Sequence, residues 1–222
     1  TEATGVRFNP TWTVPINLKM QDFLPKLRKD PGYLAAHDIE LIRGYGKNAV
    51  TLDPHSIDWH SVGWKEMGSM RMVQTPGDHN ALGRVRILMP NGYNIYMHDT
   101  NHPEYFARTQ RTYSSGCIRL SRPHDVARFV LKNKPGWNDQ DMFDTIAAGK
   151  TTDIEIKDTI PVYIIYQSVW LDSHGKLVFG SDVYKQDQKL INLLTAMNGF
   201  KLPKDPDIRY ADAHEQAVAT IQ

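Results

Sequence analysis

The residue best suited to nucleophilic chemistry is Cys117, the single cysteine among 222 residues. One cysteine forms no internal disulfide and no multi-cysteine metal cluster, so Cys117 is either a buried packing residue or a reactive thiol. Its neighbours favour the thiol. Gly116 permits close approach of a ligand, and Arg119 lies on the same face of an extended strand, where its charge favours the thiolate. The amide groups of Gly116 and Cys117 are suited to bind a developing oxyanion.

A nucleophilic cysteine needs a base, and His98 is the best placed of the nine histidines. It lies in a predicted strand over residues 93–100, which puts Asn94, Tyr96 and His98 on one face and leads into the polar loop before Cys117. A histidine that precedes the cysteine argues against papain-like and NlpC/P60-like peptidases, in which the cysteine comes first. The order is typical of sortase-like and L,D-transpeptidase-like enzymes.

Hydrophobic periodicity predicts the elements that must position these residues. Residues 85–89 alternate between buried-type and mostly polar side chains, which predicts a strand with one buried face, and Asn91-Gly92 predicts a two-residue turn into the strand of His98. Further on, the pattern predicts a helix capped by Ser121, a helix over 138–148, strands over 153–157, 161–172 and 176–180, and a terminal helix over 190–197. The predicted fold class is mostly β with peripheral helices, an α+β arrangement.

Residues 16–80 differ from the rest of the chain. Pro25 and the pair Asp30-Pro31 divide the first part into short helical pieces, and residues 44–80 are rich in Gly, Pro, His and Asp with little periodicity. We therefore predict one domain over residues 1–222, with residues 16–80 as a semi-irregular insertion. Such a segment is expected to have little core of its own and to dock on the sheet through Leu24, Leu27 and Trp59.

Composition excludes several classes of protein. The formal net charge is +1, so the chain has no bulk electrostatic attraction to nucleic acid or anionic membrane. The longest apolar run, residues 161–171, is shorter than the roughly 20 residues that span a bilayer. The first residues lack the pattern of a signal peptide, although a removed signal or an excised fragment remains open. The pairs His55/His60 and His98/His102 lack a third ligand at suitable spacing, so we expect no metal and no other cofactor.

Two segments together resemble the catalytic signature of the YkuD-type L,D-transpeptidases. They are Tyr96-Met97-His98-Asp99-Thr100 and Ser114-Ser115-Gly116-Cys117-Ile118-Arg119-Leu120, and the family pattern is a His-x-Thr strand followed by Ser-x-Gly-Cys-x-Arg. Residues 8–15, 24–31 and 80–85 also resemble the large periplasmic murein L,D-transpeptidases, so the similarity covers nearly the whole chain. The resemblance implies a β-sandwich or barrel-like catalytic fold in which residues 16–80 form a capping subdomain over the active site.

The resemblance also implies roles for the matched residues. Cys117 corresponds to the acylated nucleophile and His98 to its general base, while Gly116 and Cys117 supply oxyanion-hole amides. Arg119, Tyr96 and Ser115 correspond to substrate-binding or pocket-organising positions. Many relatives have His where this chain has Ser115 and Gly where it has Asp99. We therefore expect a backbone carbonyl near Ser114 or Ser115 to orient the base.

The implied enzyme is a peptidoglycan L,D-transpeptidase of the periplasm. Its thiolate attacks the carbonyl of the third residue of a tetrapeptide donor stem, expels D-Ala, and transfers the acyl group to a second stem to form a 3–3 cross-link. With water as acceptor, the same site is an L,D-carboxypeptidase. Carbapenem β-lactams mimic the acyl donor and are expected to acylate Cys117. The other arginines near the motifs, Arg84, Arg86, Arg108, Arg111 and Arg122, are individually expected to be solvated rather than bound to stem carboxylates.

Two alternatives remain at this point. A sortase-like cysteine transpeptidase would place its arginine much further from the cysteine than Arg119 lies from Cys117. A catalytically inert wall-binding module would keep the fold without the chemistry, and the intact Cys, His and Arg set argues against it.

Overall fold

A computed structural model of the chain describes residues 1–114 and 116–197. Contacts divide the chain into two units: the first comprises Thr1–Ala107 and Arg111–Val162, and the second comprises Arg108–Gln110 and the described residues from Tyr163 onward. Mixed sheets with several helices confirm the predicted class, mostly β with peripheral helices. The extent of the catalytic domain and the capping role of residues 16–80 stay predictions.

The strands and helices have the following bounds. The strands are β1 Glu2–Phe8, β2 Trp12–Thr13, β3 Ile39–Arg43, β4 Val50–Thr51, β5 Met70–Gln74, β6 Val85–Leu88, β7 Met97–His98, β8 Ile118–Arg119, β9 Thr152–Pro161, β10 Val169–Leu171 and β11 Leu177–Phe179. The α-helices are α1 Ile16–Leu18, α2 Leu24–Leu27, α3 Trp64–Ser69, α4 Pro123–Leu131, α5 Asp139–Ala147 and α6 Gln186–Ala196. A π-helical segment, Lys19–Phe23, joins α1 to α2, and short 3-10 turns lie at Pro31–Tyr33, Ala35–His37, Gly46–Asn48, Pro54–Ser56 and Pro103–Ala107.

The central sheet of the first unit has the strand order β8-β7-β6-β1-β9. Its pairs are antiparallel except β7 and β8, which are parallel. Alternation puts Val6, Phe8 and Ile87 on one face, where they are fully buried in a core shared with Val130 and Leu131 of α4. Because this face is apolar and covered, the opposite face carries the polar side chains.

The strand register aligns five polar side chains across that opposite face. Arg7 pairs with Asp153 on one side and with Arg86 on the other, Arg86 pairs with His98, and His98 pairs with Arg119. Directly paired residues share a face of a sheet, so these five form one transverse line, here called the polar row. Within it, the Arg7 guanidinium donates two hydrogen bonds of 2.6 Å to the Asp153 carboxylate.

The predicted two-residue turn at Asn91-Gly92 is wrong. Strands β6 and β7 share a single residue pair, Arg86 with His98, and a longer loop joins them. The Asn91 side chain closes this loop, because its amide donates to the carbonyls of Met89 and Ile95 at 2.7 Å and its oxygen accepts from Tyr93 N at 3.0 Å. An asparagine that bonds nearby backbone groups competes with the strand ladder, and here it prevents the tight hairpin.

Residues 16–80 have a core of their own, so the expectation of little independent core is wrong. The strand order β2-β5-β3-β4 forms a second antiparallel sheet, the insertion sheet, and β3 pairs with β5 along its whole length. Leu24, Leu27 and Trp59 are buried in an apolar cluster within this segment rather than docked on the central sheet. The pairing of β3 with β5 brings together apolar residues about 30 positions apart, and local periodicity does not detect such pairing.

Buried amide side chains lie where the insertion meets the central sheet. Asn80 Nδ2 donates to Pro10 O at 3.0 Å and to Thr75 O at 2.8 Å, and Asn9 Nδ2 donates to Thr145 O at 2.9 Å. Gln74, Asn80 and Asn9 together are called the amide neck. The neck lies between β1 and β6, which are adjacent antiparallel strands, so the chain leaves and re-enters the central sheet at neighbouring positions.

The second unit contains an antiparallel hairpin of β10 and β11 and the helix α6. The Asp172 carboxylate closes the hairpin turn by accepting from His174 N at 2.8 Å and Lys176 N at 2.9 Å. Helix α6 begins four residues before the predicted terminal helix and covers nearly the same segment. Over residues 1–114 and 116–197, no helix has the length and apolar character needed to cross a membrane.

Candidate active site

His98 lies in β7 with only 4% of its surface exposed. Its Nδ1 is 2.5 Å from the carbonyl oxygen of Asp99, and its ring meets the Tyr96 ring edge to face with centroids 5.8 Å apart. A carbonyl only accepts, so the ring hydrogen belongs on Nδ1 and Nε2 is left as the proton acceptor. The orienting carbonyl is that of Asp99, and the expectation of one near Ser114 or Ser115 is wrong.

The environment of His98 keeps its imidazole uncharged. Burial lowers the pKa of His98 to about 4, against the opposing effect of the Asp99 carbonyl. The positive charges of Arg119 and Arg86 lower this pKa further. At neutral pH the side chain is therefore a free base rather than an imidazolium.

The Asp99 side chain fixes the backbone that orients His98. Its carboxylate accepts hydrogen bonds from Arg84 N at 2.8 Å and from Thr100 N at 2.7 Å. Gly83 makes room for it: a Cβ at this position would lie 2.4 Å from Asp99 Cγ, and Gly83 has a φ of +61°. Only glycine fits both the conformation and the space at position 83.

Cys117 is half-buried and directly precedes β8. Its Sγ lies 3.8 Å from the carbonyl oxygen of Asn94, and among the described residues it forms no hydrogen bond to His98. Ser114 holds the turn before it, because Ser114 Oγ donates to Cys117 O at 2.6 Å. Gly116 has a φ of +143°, a backbone conformation that favours glycine, and its N–H points to Ser114 Oγ at 3.4 Å.

Tyr96 and Arg86 form a stacked pair beside the thiol. The Arg86 guanidinium carbon is 3.8 Å from the centre of the Tyr96 ring. Burial raises the pKa of the Tyr96 hydroxyl, the nearby Cys117 raises it further, and Arg86 opposes both effects. Burial also lowers the pKa of Arg86, whose Nε is buried without a hydrogen-bond acceptor among the described residues. Arg86 is therefore half-buried, so the expectation of a solvated side chain holds only in part.

Arg119 lies on the other side of His98, in β8. Its Nε is also buried without an acceptor in the described part of the chain, and its guanidinium carbon is 5.8 Å from the centre of the Tyr105 ring. Cys117, His98, Tyr96 and Arg119 are thus brought together at adjacent strands, with Gly116 next to them. Ser115 lies outside the described residues.

Sequence reasoning missed two contributors, Arg86 and Asp99. The alternation of residues 85–89 contained a signal for Arg86, because a pairing of that strand with the strand of His98 puts Arg86 on the same face. The pair Gly83 and Asp99 was visible only as separate residues, since their contact joins two segments. Within the described ranges, no group of three or more His, Cys, Asp or Glu side chains is arranged to hold a metal ion.

Comparison with known proteins agrees with this geometry. The family model for the YkuD L,D-transpeptidase catalytic domain matches residues 1–162, which end where the first unit ends. A Haemophilus influenzae protein, which its name describes as a candidate L,D-transpeptidase, is 34% identical over 187 residues. That match covers 84% of this chain and 37% of the relative, so the chain spans little more than a third of the relative's length.

Proposed function

Because this chain belongs to the YkuD family of L,D-transpeptidase catalytic domains, we propose that it forms 3–3 cross-links in peptidoglycan through a thioester on Cys117. One observation carries the proposal: Cys117 directly precedes β8, which pairs with the strand of an uncharged, oriented His98, and Arg86 lies near enough to Cys117 to interact with it electrostatically. The arrangement combines a thiol, a free base and nearby positive charge.

The first half of the reaction is acylation. The Cys117 sulfur attacks the carbonyl carbon of the third residue of a tetrapeptide stem, and the thiol proton passes to Nε2 of His98. The bond between the third and fourth residues then breaks, and His98 returns the proton to the amine of the departing D-Ala. The product is a thioester of the shortened stem on Cys117.

The second half transfers the acyl group. The side-chain amine of the third residue of another stem attacks the thioester, His98 accepts a proton from this amine, and the Cys117 thiol is regenerated. The new amide is the 3–3 cross-link. When water replaces the amine, the product is a tripeptide stem, and the side activity is that of an L,D-carboxypeptidase.

The Cys117 side chain must move for this chemistry. Its Sγ is near Asn94 O, so a rotation about the Cα–Cβ bond is needed to bring it towards Nε2 of His98. Catalytic hydrogen bonds are often loose without substrate and tighten when it binds. The contact from Gly116 N to Ser114 Oγ at 3.4 Å is long, so this amide can exchange it for the oxyanion, together with the amide of Cys117.

Further parts of the proposal follow from the substrate. Peptidoglycan stems are the donor and acceptor, the enzyme needs no cofactor, and it works in the periplasm, where this polymer is built. We assign residues 16–80 a capping role over the donor site, which limits access of water to the thioester. Carbapenems are expected to acylate the same sulfur.

A product analysis tests the proposal. Purified disaccharide-tetrapeptide is incubated with the protein, and mass spectrometry measures cross-linked dimer, tripeptide and free D-Ala. We expect dimer with loss of one D-Ala, no product with Cys117→Ala, and one carbapenem adduct that is absent from Cys117→Ala. Tripeptide without dimer contradicts the transpeptidase assignment, and a folded protein without product or adduct is the inert module. An undiminished adduct on Cys117→Ala excludes Cys117 as the nucleophile.

A further inference from the structure

Two guanidinium groups of the polar row occupy similar positions with different partners. Arg7 holds the Asp153 carboxylate by two hydrogen bonds of 2.6 Å. Arg86, its neighbour on β6, forms no ion pair with a carboxylate among the described residues, and its Nε is buried without an acceptor. A buried Nε without an acceptor is costly, and the planar fork of a guanidinium matches a carboxylate. Arg86 therefore lacks a carboxylate partner of the kind that Asp153 provides for Arg7.

The position of Arg86 limits what that group is. Its guanidinium stacks on Tyr96 at 3.8 Å, and Tyr96 and Arg86 both interact electrostatically with Cys117. In a tetrapeptide donor, the carboxylate of the fourth residue is only two bonds beyond the scissile nitrogen. A donor with its third carbonyl at Cys117 thus brings a carboxylate within one residue length, about 4 Å, of the attacked carbon.

We propose that Arg86 binds the free carboxylate of the fourth residue of the donor stem, and that this contact makes the site select tetrapeptide donors over donors extended or capped at that carboxyl. This inference rests on the proposed function and adds a subsite to it. A longer stem has a neutral amide at this position, which leaves the Arg86 fork without its charged partner. The extended donor then leaves the buried Nε of Arg86 without a charged acceptor next to the reacting bond.

A second arginine provides a matched control. Arg71, in β5 of the insertion sheet, also has a buried Nε without an acceptor in the described residues, and its guanidinium lies 4.5 Å from the Tyr45 ring centre. This pair has the same stacking in the insertion sheet, so a substitution there separates the effect of stacking from that of a position near Cys117. Arg86 differs because it lies between His98 and Arg7 on the catalytic face.

The test compares two donors that differ only in charge: disaccharide-tetrapeptide and its C-terminal carboxamide. The rate of release of the fourth residue, as kcat/KM, is measured for wild type, Arg86→Gln, Arg86→Lys and Arg71→Gln. We expect wild type to prefer the carboxylate by about 10- to 100-fold, the range for hydrogen bonds to a charged group. Arg86→Gln should reduce this preference to nearly one, Arg86→Lys should keep part of it, and Arg71→Gln should leave it unchanged.

The outcomes separate this inference from the proposed function. A wild type that releases the fourth residue from both donors at equal rates overturns the inference without any variant. Equal losses on both donors in Arg86→Gln also overturn it, because they indicate that Arg86 only supports Tyr96. A wild type inactive on both donors, although iodoacetamide alkylates Cys117, overturns the proposed function and this inference together. If Arg86→Gln does not fold, the preference for the carboxylate donor is compared between wild type and Arg86→Lys. An equal preference in both proteins then overturns the inference.

Discussion

The central sheet and the insertion treat buried polar groups in opposite ways. In the insertion, Lys19 Nζ donates to the carbonyls of Met67 and Met70, and the amide of Gln74 donates to His37 O and His79 O at 3.0 Å. On the catalytic face of the central sheet, Arg86 and Arg119 each have a buried Nε without an acceptor among the described residues. Arg71 is the exception in the insertion.

This difference separates stability from function. A buried polar group that is bonded within the protein stabilises one arrangement of the chain. A buried polar group that lacks a partner lowers stability, and it is retained where a substrate supplies the partner. Substitutions of buried polar groups in the insertion should therefore lower mainly stability, and those on the catalytic face should lower mainly activity. Each of the following measurements is able to contradict this distinction.

The largest effect is expected from His98→Gln. It removes the proposed base, so the rate of acylation by a carbapenem or stem should fall by about 10²- to 10⁴-fold, while the free energy of unfolding is not lowered at pH 7. His37→Gln is the matched control, since His37 Nδ1 also lies 2.8 Å from a backbone carbonyl, that of Tyr33, but within the insertion. A loss below about threefold in folded His98→Gln contradicts the assignment of the base.

The second prediction concerns acid sensitivity. The pKa of His98 is about 4 in the folded protein and about 6.5 in the unfolded chain, so below pH 6.5 the unfolded chain binds a proton that the native state does not. Titration of His98 therefore leaves stability unchanged above pH 6.5, and as the pH falls towards 4 the native state loses up to about 3 kcal/mol relative to the unfolded chain.

Urea titrations at several pH values between 4 and 7 measure the free energy of unfolding of wild type and of His98→Gln. Wild type should lose more stability than the variant, because only wild type carries the buried imidazole. Parallel losses in both proteins exclude His98 as the source of acid sensitivity.

The third prediction concerns Lys19→Met in the insertion. Burial lowers the pKa of Lys19, yet its removal takes one donor from the carbonyl of Met67, which keeps the backbone N–H of Met70, and one from the carbonyl of Met70. We expect a loss of about 1–3 kcal/mol in the free energy of unfolding, measured in urea. The exposed Lys29→Met should change it by less than about 0.5 kcal/mol. If Lys19→Met is more stable than wild type, the free-energy cost of burying the Lys19 ammonium exceeds the gain from its two hydrogen bonds. The insertion would then resemble the catalytic face, where buried polar groups lower stability.

The smallest effect is expected where the two regions meet, at Gly83. Gly83→Ala puts a methyl group against the Asp99 carboxylate in a left-handed conformation, so we expect a loss of about 1–2 kcal/mol in stability. The displaced Asp99 should also lower activity, since its carbonyl orients His98. Gly77→Ala is the control, because a Cβ there meets no atom within 4 Å. If Gly83→Ala lowers stability but keeps full activity, the displacement of Asp99 does not alter the orientation of His98.

Sequence patterns predicted the local parts of the site. Alternation identified β6, and the two motifs placed His98 and Arg119 on strands that are adjacent in the structure, with Cys117 directly before the second strand. What they missed depends on contacts between distant segments: the pairing of β3 with β5, the contact of Gly83 with Asp99, and the alignment of Arg86 with His98. The missed turn has a local cause, since the Asn91 side chain occupies the backbone groups that a tight hairpin would pair.

The way in which residues 16–80 are attached at the amide neck determines what a change in that segment does to the central sheet. Phe8 and Val85 are paired in the central sheet, and Asn9 N donates to Arg84 O at 2.8 Å, so the chain between them departs and returns at one rung of the ladder. The intervening segment has its own core, and it is joined to the central sheet by two backbone crossings and by the bond from Asn80 Nδ2 to Pro10 O. A change in the length or sequence of this segment adds or removes residues beyond that rung, so the register that pairs Arg86 with His98 is kept.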